Sequence, residues 1–378
     1  MRIGIEAQRI YRDHKHGMDF VALEMIKNLQ EIDKENDYII YINEGPDTDC
    51  LKETENFKIK VFGASYPIWE QIKLPKMARE DKLDILHCTS NTAPINCPVP
   101  LVVTIHDIIY FETHPLAAKG YSSYQKFGNL YRRYVVKRLL YSAKLIITVS
   151  EYEKERFNSF LKLKPGRVEV VYNGVGEHFK QIEDQDHLES IREKYKLPQK
   201  FFLFLGNTDP KKNTRNTVVS FAKYKQKHKT DHKLVIGDLD PEVILGFLKE
   251  EKLDSFFDEI FFTGYIHNSD LPAVINLADI FLYPSKRESF GIPVLEGMAS
   301  GTPVITSNTS SMPEVGGDAA VFVDPENTDQ ISESIHLLLT DEELRKRNIE
   351  KGISRAEKFS WKNTAKEVLN IYHRITNK

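Results

Sequence analysis

The residues best suited to chemistry by type and spacing lie in one stretch, YPSKRESFGIPVLEGMASGTPVITS, residues 283–307. Pro293 is typical of the first turn of a helix, because proline has no amide hydrogen to leave unpaired there. The stretch therefore predicts a helix start at this point. Its free backbone amides, together with those of Phe290, Gly291 and Ile292, would bind the phosphates of an anionic ligand.

Two carboxylates flank this turn. Glu288 precedes it and Glu296 lies one turn into the helix, with seven residues between them. The paired carboxylates of glycosidases lie about 5 to 10 Å apart across the sugar. Here Glu288 is expected at the tip of a loop and Glu296 on the side of a helix, which instead favours contacts with two separate parts of one long ligand. The alternative interpretation is that Glu296 only complements the helix dipole and that Glu288 is a solvated loop residue.

Two lysines lie in the loop GNTDPKKNT, residues 206–214, directly after the apolar run FFLFL. Lys211 and Lys212 would bring ammonium groups to a diphosphate close to a second helix start at Asn213. The alternative is an ordinary solvated turn between a strand and a helix, and this loop taken alone favours that alternative.

Two further candidates follow apolar runs in the first half of the chain. His106 and Asp107 come directly after LVVTI. A histidine in this position can donate to a substrate hydroxyl or transfer a proton near neutral pH, and a histidine that only supports its loop is an equal alternative. Gly17, in HKHGMDFVAL, would let the loop after the first strand approach a ligand before a helix begins.

The elements that must position these residues follow from the rest of the sequence. Short apolar runs alternate with amphipathic stretches, which is typical of doubly wound parallel sheets covered by helices, and the pattern restarts at residue 201. Such sheets bind ligands at the carboxyl ends of their strands, so a cleft between two domains is expected. We predict an N-terminal, acceptor-side domain at 1–180, a linker near 176–190, a C-terminal, donor-side domain at 186–358, and a terminal helix in 359–378 that packs back on the N-terminal domain.

Composition excludes several classes of protein. The 378 residues carry 52 Lys and Arg against 55 Asp and Glu, which argues against a dedicated nucleic-acid binder. Three cysteines without a Cys-x-x-Cys pair do not make a disulfide framework or a cysteine zinc site. The charged N-terminus is unlike a signal peptide, and the apolar runs are far shorter than the ~20 residues that span a bilayer. A cytoplasmic protein is expected.

Taken together, these stretches resemble the retaining glycosyltransferases of family 4, whose α/β fold, GT-B, has two facing Rossmann-like domains. The most specific feature is the pair of glutamates in RESFGIPVLEG, followed by SGTPVITS. The segments GNTDPKKN, FTGYIHNSDLP, SSMPEVGGDAAVFVDP and FSWKNTAKEV are also similar to those of the family and occur in the same order. The resemblance spans nearly the whole chain.

The resemblance implies roles for individual residues. Glu288 would contact the donor sugar, Glu296 would hold the ribose, and Lys212 would neutralise the diphosphate leaving group. His106 is similar to a family histidine near the donor sugar, so the implied catalytic residues are Glu288, His106 and Lys212. The implied donor-binding residues, of which Gly264 and Tyr265 would border the nucleobase, are Gly17, Asn207, Lys211, Lys212, Gly264, Tyr265, Ser289, Phe290, Gly291, Ile292 and Glu296.

Two positions depart from the family pattern. Many members have an arginine where this chain has Asn207, so Lys211 or Arg215 is expected to supply that phosphate contact. The loop after the first strand usually contains adjacent glycines, whereas this chain has only Gly17 there. That loop is therefore expected to contact the acceptor or the phosphate differently.

The implied activity is retaining transfer of a hexosyl group, with mannose from GDP-mannose as the expected donor group. The acceptor would be a saccharide or a lipid-linked saccharide in cell-surface glycan assembly. No cofactor is expected, because the nucleotide-sugar is a substrate, and metal independence is expected because Lys212 and helix amides would meet the diphosphate charge. The alternatives are a catalytically silent sugar- or nucleotide-binding module of the same fold and a dinucleotide-dependent oxidoreductase. The second is disfavoured because no loop after a strand reads Gly-x-Gly-x-x-Gly.

The segment 121–144 has the periodicity of a helix with one basic stripe. Its members fall within about 40° of one another at 100° per residue, and they are Lys126, Arg133, Lys137 and Lys144. A solvated helix face is one interpretation. The other is attraction to an anionic lipid surface or a diphosphate-linked acceptor, which would place the protein in peripheral contact with the inner face of the membrane.

Overall fold

The computed structural model describes residues 1–112, 123–161, 163 and 166–376, and the side chains of residues 123–126 lie outside that description. The chain divides into two compact units. Unit 1 contains Met1–Gly174 and Trp361–Lys378, and unit 2 contains Val175–Ser360.

The apolar runs of the first half form a parallel sheet in unit 1. Its strands are β1 Arg2–Glu6, β2 Asp37–Ile42, β3 Phe57–Val61, β4 Ile85–Cys88, β5 Leu101–Thr104, β6 Leu145–Thr148 and β7 Val168–Val170. Within the described residues they pair in the order β3-β2-β1-β4-β5-β6-β7, with Ile3 opposite both Tyr38 and Ile85. The strand order reverses between β1 and β4, and crevices at such reversals are where doubly wound sheets bind ligands.

Helices cover this sheet because their apolar positions repeat at helical spacing. They are α1 Gly17–Ile32, α2 Tyr66–Ile68, α3 Leu74–Glu80, α4 Ile109–Glu112, α5 Ser123–Ser142 and α6 Glu151–Leu161. A π-helical segment, Trp69–Lys73, joins α2 to α3, and a 3-10 turn spans Thr48–Cys50.

Unit 2 repeats the architecture with the second set of apolar runs. Its strands are β8 Phe201–Phe204, β9 Lys233–Ile236, β10 Ile260–Phe262, β11 Ile280–Tyr283, β12 Val304–Ser307 and β13 Val321–Val323, paired in parallel in the order β10-β9-β8-β11-β12-β13. Its helices are α7 Gln185–Tyr195, α8 Thr214–Lys227, α9 Pro241–Glu250, α10 Leu271–Leu277, α11 Ile292–Ala299, α12 Met312–Gly316, α13 Thr328–Thr340 and α14 Glu342–Ala356, with 3-10 turns at Pro210–Lys212 and Asp254–Glu259. The prediction of two doubly wound parallel sheets is confirmed.

The last helix, α15 Trp361–Thr376, belongs to unit 1, and its apolar side chains enter the core formed by β1, β2 and α1. The Tyr372 hydroxyl lies 2.6 Å from Nδ1 of His87, whose Nε2 lies 2.7 Å from Oγ1 of Thr104. Burial lowers the pKa of His87 to about 3, so this imidazole is neutral. The helix is thus tied to β4 and β5 by a buried hydrogen-bond chain.

The segment between the two sheets differs from the sequence-based interpretation. The chain passes from unit 1 to unit 2 at Gly174, upstream of the linker predicted near 176–190. Helix α7 begins inside that predicted linker, because Asp184 accepts a hydrogen bond from the amide of His187. Its apolar positions, Leu188 and Ile191, are buried, but they are too few in a polar stretch to signal a helix by periodicity.

The predicted basic helix is α5, but the stripe on it is shorter than predicted. Lys144 follows the last helical residue, so it does not continue the helix face. Arg133 is partly buried, and residues 121 and 122 and the side chain of Lys126 lie outside the described part of the chain. Among the described residues, no helix has both the length and the apolar character that a membrane span requires.

Candidate active site

The loop after β8 holds Lys212 against the end of the neighbouring strand β11. The loop closes with the 3-10 turn Pro210–Lys212, followed by Asn213 in a left-handed conformation. The side-chain amide of Asn213 donates to the carbonyl of Pro284 at 2.9 Å and to that of Pro325 at 2.7 Å. Adjacent strands β8 and β11 bring these loops together, and the asparagine fixes where the lysine stem begins.

Lys212, Tyr283 and Glu288 form a hydrogen-bonded triangle. Nζ of Lys212 lies 2.7 Å from Oε1 of Glu288 and 2.8 Å from the Tyr283 hydroxyl, which itself donates to the same carboxylate oxygen over 3.0 Å. Burial and then the charge of Glu288 raise the pKa of Tyr283, so the hydroxyl keeps its proton. An ammonium has three N–H groups. Two are used here, and the third is available to an anion.

A second loop, after β12, fixes the turn that carries Glu288. The backbone amide of Glu288 donates to Oγ of Ser310 at 3.1 Å. The hydroxyl of Ser311 lies 2.8 Å from the carbonyl oxygen of Phe290 and 3.1 Å from that of Glu288. Ser289 lies between them and is partly buried. The turn is therefore held by side chains about 20 residues downstream.

Helix α11 begins as the sequence predicts. Pro293 lies in its first turn, and Gly291 precedes it with φ of 105°, a conformation that favours glycine. A Cβ on Gly291 would also lie 2.2 Å from Cε of Met312, so a larger residue would require this flexible side chain to move in addition to the backbone strain. The first helical hydrogen bond runs from the amide of Val294 to Gly291, and the amides of Gly291 and Ile292 come before it. These amides and the helix dipole suit an anion.

Glu296 differs from Glu288 in having no partner. Its side chain is partly exposed, and within the described residues no donor is paired with its carboxylate. Burial by the surrounding protein atoms raises the pKa of Glu296 to about 7. A carboxylate kept without a partner in such surroundings suits a ligand that supplies hydroxyl donors.

The other predicted donor-binding residues of unit 2 lie in loops after β8 and β10. Gly264 follows β10 with φ of 68°, and the ring of Tyr265 is 57% exposed. Asn207 accepts a hydrogen bond from the amide of Asp209 at 2.9 Å, and Nζ of Lys211 lies 3.6 Å from the same aspartate. All four are at the carboxyl edge of the sheet.

Arg215 is one of the two residues expected to replace the arginine that this chain lacks at Asn207, but its guanidinium is paired with other residues. It pairs with Glu250 at 3.1 Å and with Glu251 at 2.5 Å, at the end of α9. Lys211 has a looser ion pair, with Asp209 at 3.6 Å. The structure therefore favours Lys211 over Arg215 for a second contact with a phosphate.

Two predicted residues, His106 and Gly17, lie in unit 1. His106 is buried after β5; its amide donates to Oδ1 of Asn91 at 2.6 Å, and Nε2 lies 3.0 Å from the carbonyl oxygen of Thr89. Burial lowers the pKa of His106, so the neutral ring donates from Nε2 and keeps Nδ1 as an acceptor. Gly17 is the exposed first residue of α1, and a Cβ there would meet no atom within 4 Å. Nothing in the described structure demands glycine at that position.

Three residues that shape the site have no functional signal in the sequence: Tyr283, Ser310 and Ser311. Tyr283 is the last residue of the buried strand β11, where an aromatic ring fits the apolar pattern. The two serines lie in the stretch SSMPEV, which contributed to the resemblance without an assigned role. A hydroxyl beside a turn signals nothing until the fold shows which turn it supports.

The fold and this site define a class of protein before any relative is considered: a two-unit α/β protein whose second unit combines a helix start suited to an anion, a positioned lysine and two carboxylates. The solved structure of sucrose-phosphate synthase from Thermosynechococcus elongatus superposes with a TM-score of 0.75 at 16% identity, covering 99% of both chains. The fold is therefore GT-B.

Comparison of sequences gives the family. Residues 187–355 match the model of glycosyl transferases group 1, and residues 16–178 match that of glycosyltransferase family 4. O-antigen chain mannosyltransferase B of Escherichia coli is 30% identical over 281 residues, which is 72% of this chain and 69% of that protein. The chain belongs to glycosyltransferase family 4 and is a retaining glycosyltransferase.

A second mannosyltransferase, the serotype-specific WbdA of Escherichia coli, is 28% identical over 236 residues. That alignment covers 62% of this chain but only 29% of WbdA. The likeness therefore concerns one part of a much longer protein.

Proposed function

We propose that this enzyme transfers mannose from GDP-mannose, with retention of configuration, to a saccharide or lipid-linked saccharide acceptor in the assembly of a cell-surface glycan. The relatives that are named mannosyltransferases support the choice of sugar. The observation that carries the catalytic part is the Lys212–Tyr283–Glu288 triangle, because it holds a cation in place with one N–H group still to donate.

In the proposed reaction, the bond between the sugar C1 and the diphosphate oxygen breaks, and a bond from C1 to the acceptor oxygen forms on the same face. Negative charge grows on the diphosphate as the first bond breaks. Lys212 and the amides of Gly291 and Ile292 stabilise that charge in a preorganised way. The departing phosphate oxygen takes the proton of the acceptor hydroxyl, so no separate base is required.

The two glutamates act on different parts of the donor. Glu288 accepts hydrogen bonds from the sugar hydroxyls and, through its contact with Lys212, holds the ammonium in position. Glu296, without a partner and with a raised pKa, accepts the ribose hydroxyls. For His106 and Gly17, a contact with the donor is proposed on the family resemblance alone.

A carboxylate in the neighbouring loop favours guanine as the base. Asp238 is exposed two residues after β9, the strand beside β10, whose loop carries Gly264 and Tyr265. Guanine presents an N–H and an amino group on one edge, and a single carboxylate accepts both. Uracil and adenine do not offer that pair of donors. Asp238 therefore supports GDP over UDP and ADP.

Metal independence is part of the proposal. Lys212 and the amides at the start of α11 provide positive charge for the diphosphate. Asp240, the second carboxylate of the Asp238-Leu239-Asp240 run, already accepts the amide of Glu242 at 2.9 Å. In the described part of the chain, no group of three or more His, Cys, Asp or Glu side chains is arranged to hold a metal ion.

The test is a donor screen that measures release of GDP, UDP and ADP from their sugar conjugates, with and without saccharide acceptors. Faster release from GDP-mannose than from GDP-glucose and the uridine and adenosine donors is the expected result, and the transferred mannose must be α-linked as in the donor. A preference for UDP-glucose would contradict the choice of sugar and base. Nucleotide binding without turnover of any donor would instead favour the silent binding module.

A further inference from the structure

Helix α5 exposes an apolar face that the transferase reaction does not explain. Four large side chains on it, each 54% to 87% exposed, are Phe127, Leu130, Tyr134 and Tyr141. At 100° per residue they fall within about 60° of one another, on one side of the helix. Exposed apolar residues scattered singly are normal, whereas a contiguous face of this kind indicates an interaction site.

The opposite side of the helix explains why this face is left outward. Four aliphatic residues there are fully or almost fully buried in the core of unit 1: Val135, Val136, Leu139 and Leu140. The helix is therefore apolar on both sides, and the core needs only one of them. An outward row of aromatic and aliphatic side chains costs solubility unless something covers it.

Basic side chains lie at both edges of the exposed face. Lys137 and Arg138 are exposed, and each projects about 20° beyond one edge of the apolar row. The guanidinium carbon of Arg138 lies 5.2 Å from the centre of the Tyr134 ring, so the cation is held beside the aromatic surface. Tyrosine beside Lys or Arg is the pattern of a helix that lies in a lipid interface.

The surrounding sequence has the same sign of charge. Residues 113–150 contain seven Lys and Arg and no Asp or Glu, in a chain whose net charge is −3. The positive charge is thus concentrated on one segment and is not a property of the whole surface. An anionic partner complements it.

A second element, in contact with α5, also exposes apolar residues. Tyr131 of α5 packs edge-on against Tyr66 and donates to Glu70 of the π-helical segment at 2.6 Å. That part of the chain carries two more exposed apolar residues, Ile68 and Ile72, one helical turn apart. Exposed apolar residues of unit 1 are therefore not confined to one helix.

We propose that the exposed face of α5 docks in the plane of an anionic phospholipid membrane, with its aromatic row among the acyl chains and its basic edges on the headgroups. A second copy of the chain fits less well, because a symmetric pair would bring the same basic edges together without any acidic residue between them. The inference is independent of donor and acceptor identity.

The test is cosedimentation of the full chain with vesicles of phosphatidylglycerol and phosphatidylcholine, beside vesicles of phosphatidylcholine alone. We compare wild type with Leu130→Ser/Tyr134→Ser and with Lys137→Glu/Arg138→Glu. Each basic residue near an anionic surface contributes a factor of about five, so the charge variant should bind at least about 25-fold more weakly. The affinity of the apolar variant for anionic vesicles should be lower by about ten-fold or more.

Matched controls lie in unit 2. Leu337→Ser removes an exposed leucine of α13, and Lys346→Glu/Arg347→Glu reverses two exposed charges of α14. Both should bind anionic vesicles like wild type, and all variants should keep the wild-type melting temperature and affinity for the nucleotide. The last measurement separates failure of this inference from failure of the proposed function.

Several results would overturn the inference. The face is only a solvated surface if wild type does not bind anionic vesicles. The same holds if the α5 variants bind these vesicles as tightly as the controls do. A dimer that Leu130→Ser/Tyr134→Ser converts to a monomer, without vesicle binding, would identify a second copy as the occupant. Binding to a single-stranded oligonucleotide in place of vesicles would identify a nucleic acid.

Discussion

Glu296 gives the sharpest quantitative prediction, because its pKa lies in the range where enzymes are assayed. Burial raises that pKa to about 7, so the side chain is about one-tenth ionised at pH 6 and about nine-tenths ionised at pH 8. If the ionised carboxylate accepts the ribose hydroxyls, donor affinity should rise about ten-fold between these two values. Near pH 7, binding should release about half a proton.

The ligand and the variant are chosen to isolate the contribution of Glu296 to the pH dependence of donor binding. Each phosphate of GDP-mannose has one ester and one anhydride linkage and stays singly charged from pH 6 to pH 8. Glu296→Gln keeps the shape of the side chain but has no charge to gain. Since hydrogen bonds to a charged group contribute about 1.5 to 3 kcal/mol, the variant should bind the donor roughly 10- to 100-fold more weakly at pH 8 and show no pH dependence from this position.

The assay is isothermal titration calorimetry at pH 6, 7 and 8, repeated in buffers of different ionisation enthalpy to count released protons. A 2′,3′-dideoxyribose donor is the ligand control and should bind with the same affinity at all three values. Wild-type affinity that changes less than two-fold across the range would refute the reasoning. So would an equal pH dependence in Glu296→Gln.

Four further predictions concern the site and its supports. Lys212→Ala and Glu288→Gln should each lower kcat by at least ~100-fold with an unchanged melting temperature, since each contact matters most as charge develops. Lys249→Ala is the control. Wild-type turnover in both site variants would exclude Lys212 and Glu288 as catalytic residues. Tyr283→Phe should lower kcat by about ten-fold, measured in the same assay, because the lysine loses one of two partners but not its carboxylate. Activity should survive EDTA, and turnover that EDTA abolishes and manganese restores would show that the diphosphate needs a metal. Burial raises the pKa of Glu6 to about 7 against 4.5 in the unfolded chain, so wild type loses stability as the pH rises and Glu6 must ionise. The free energy of unfolding of Glu6→Gln minus that of wild type should increase by up to ~3 kcal/mol from pH 5 to pH 8. A difference that does not change with pH in denaturant titrations would contradict this.

The site was predictable where its signals are local. Pro293 and Gly291 define the start of α11 through backbone geometry alone, so this helix start can be predicted from a few adjacent residues. The apolar runs before Asn207 and His106 predict strands, and each loop then follows at a carboxyl end. Such features need no knowledge of distant contacts.

The site was not predictable where distant segments meet. Tyr283 matches a buried strand, and only its position opposite Lys212 makes its hydroxyl functional. Ser310 and Ser311, which follow β12, support the turn that follows the neighbouring strand β11, more than 20 residues earlier in the chain. Arg215 had the charge expected of a phosphate ligand, but Glu250 and Glu251 pair with it. None of these pairings leaves a local pattern.

By itself the sequence determined the two parallel sheets, the family and the residues at the helix start, because strand, helix and turn preferences act over a few neighbouring residues. The tertiary structure decided which charges meet. Lys212 and Glu288 are 76 positions apart, and they form an ion pair because β8 and β11 are adjacent in the sheet. Only packing around Glu296 raises its pKa, since burial depends on atoms from the whole unit. Ionisation and pairing are long-range properties, and the order of residues along the chain does not contain them in readable form.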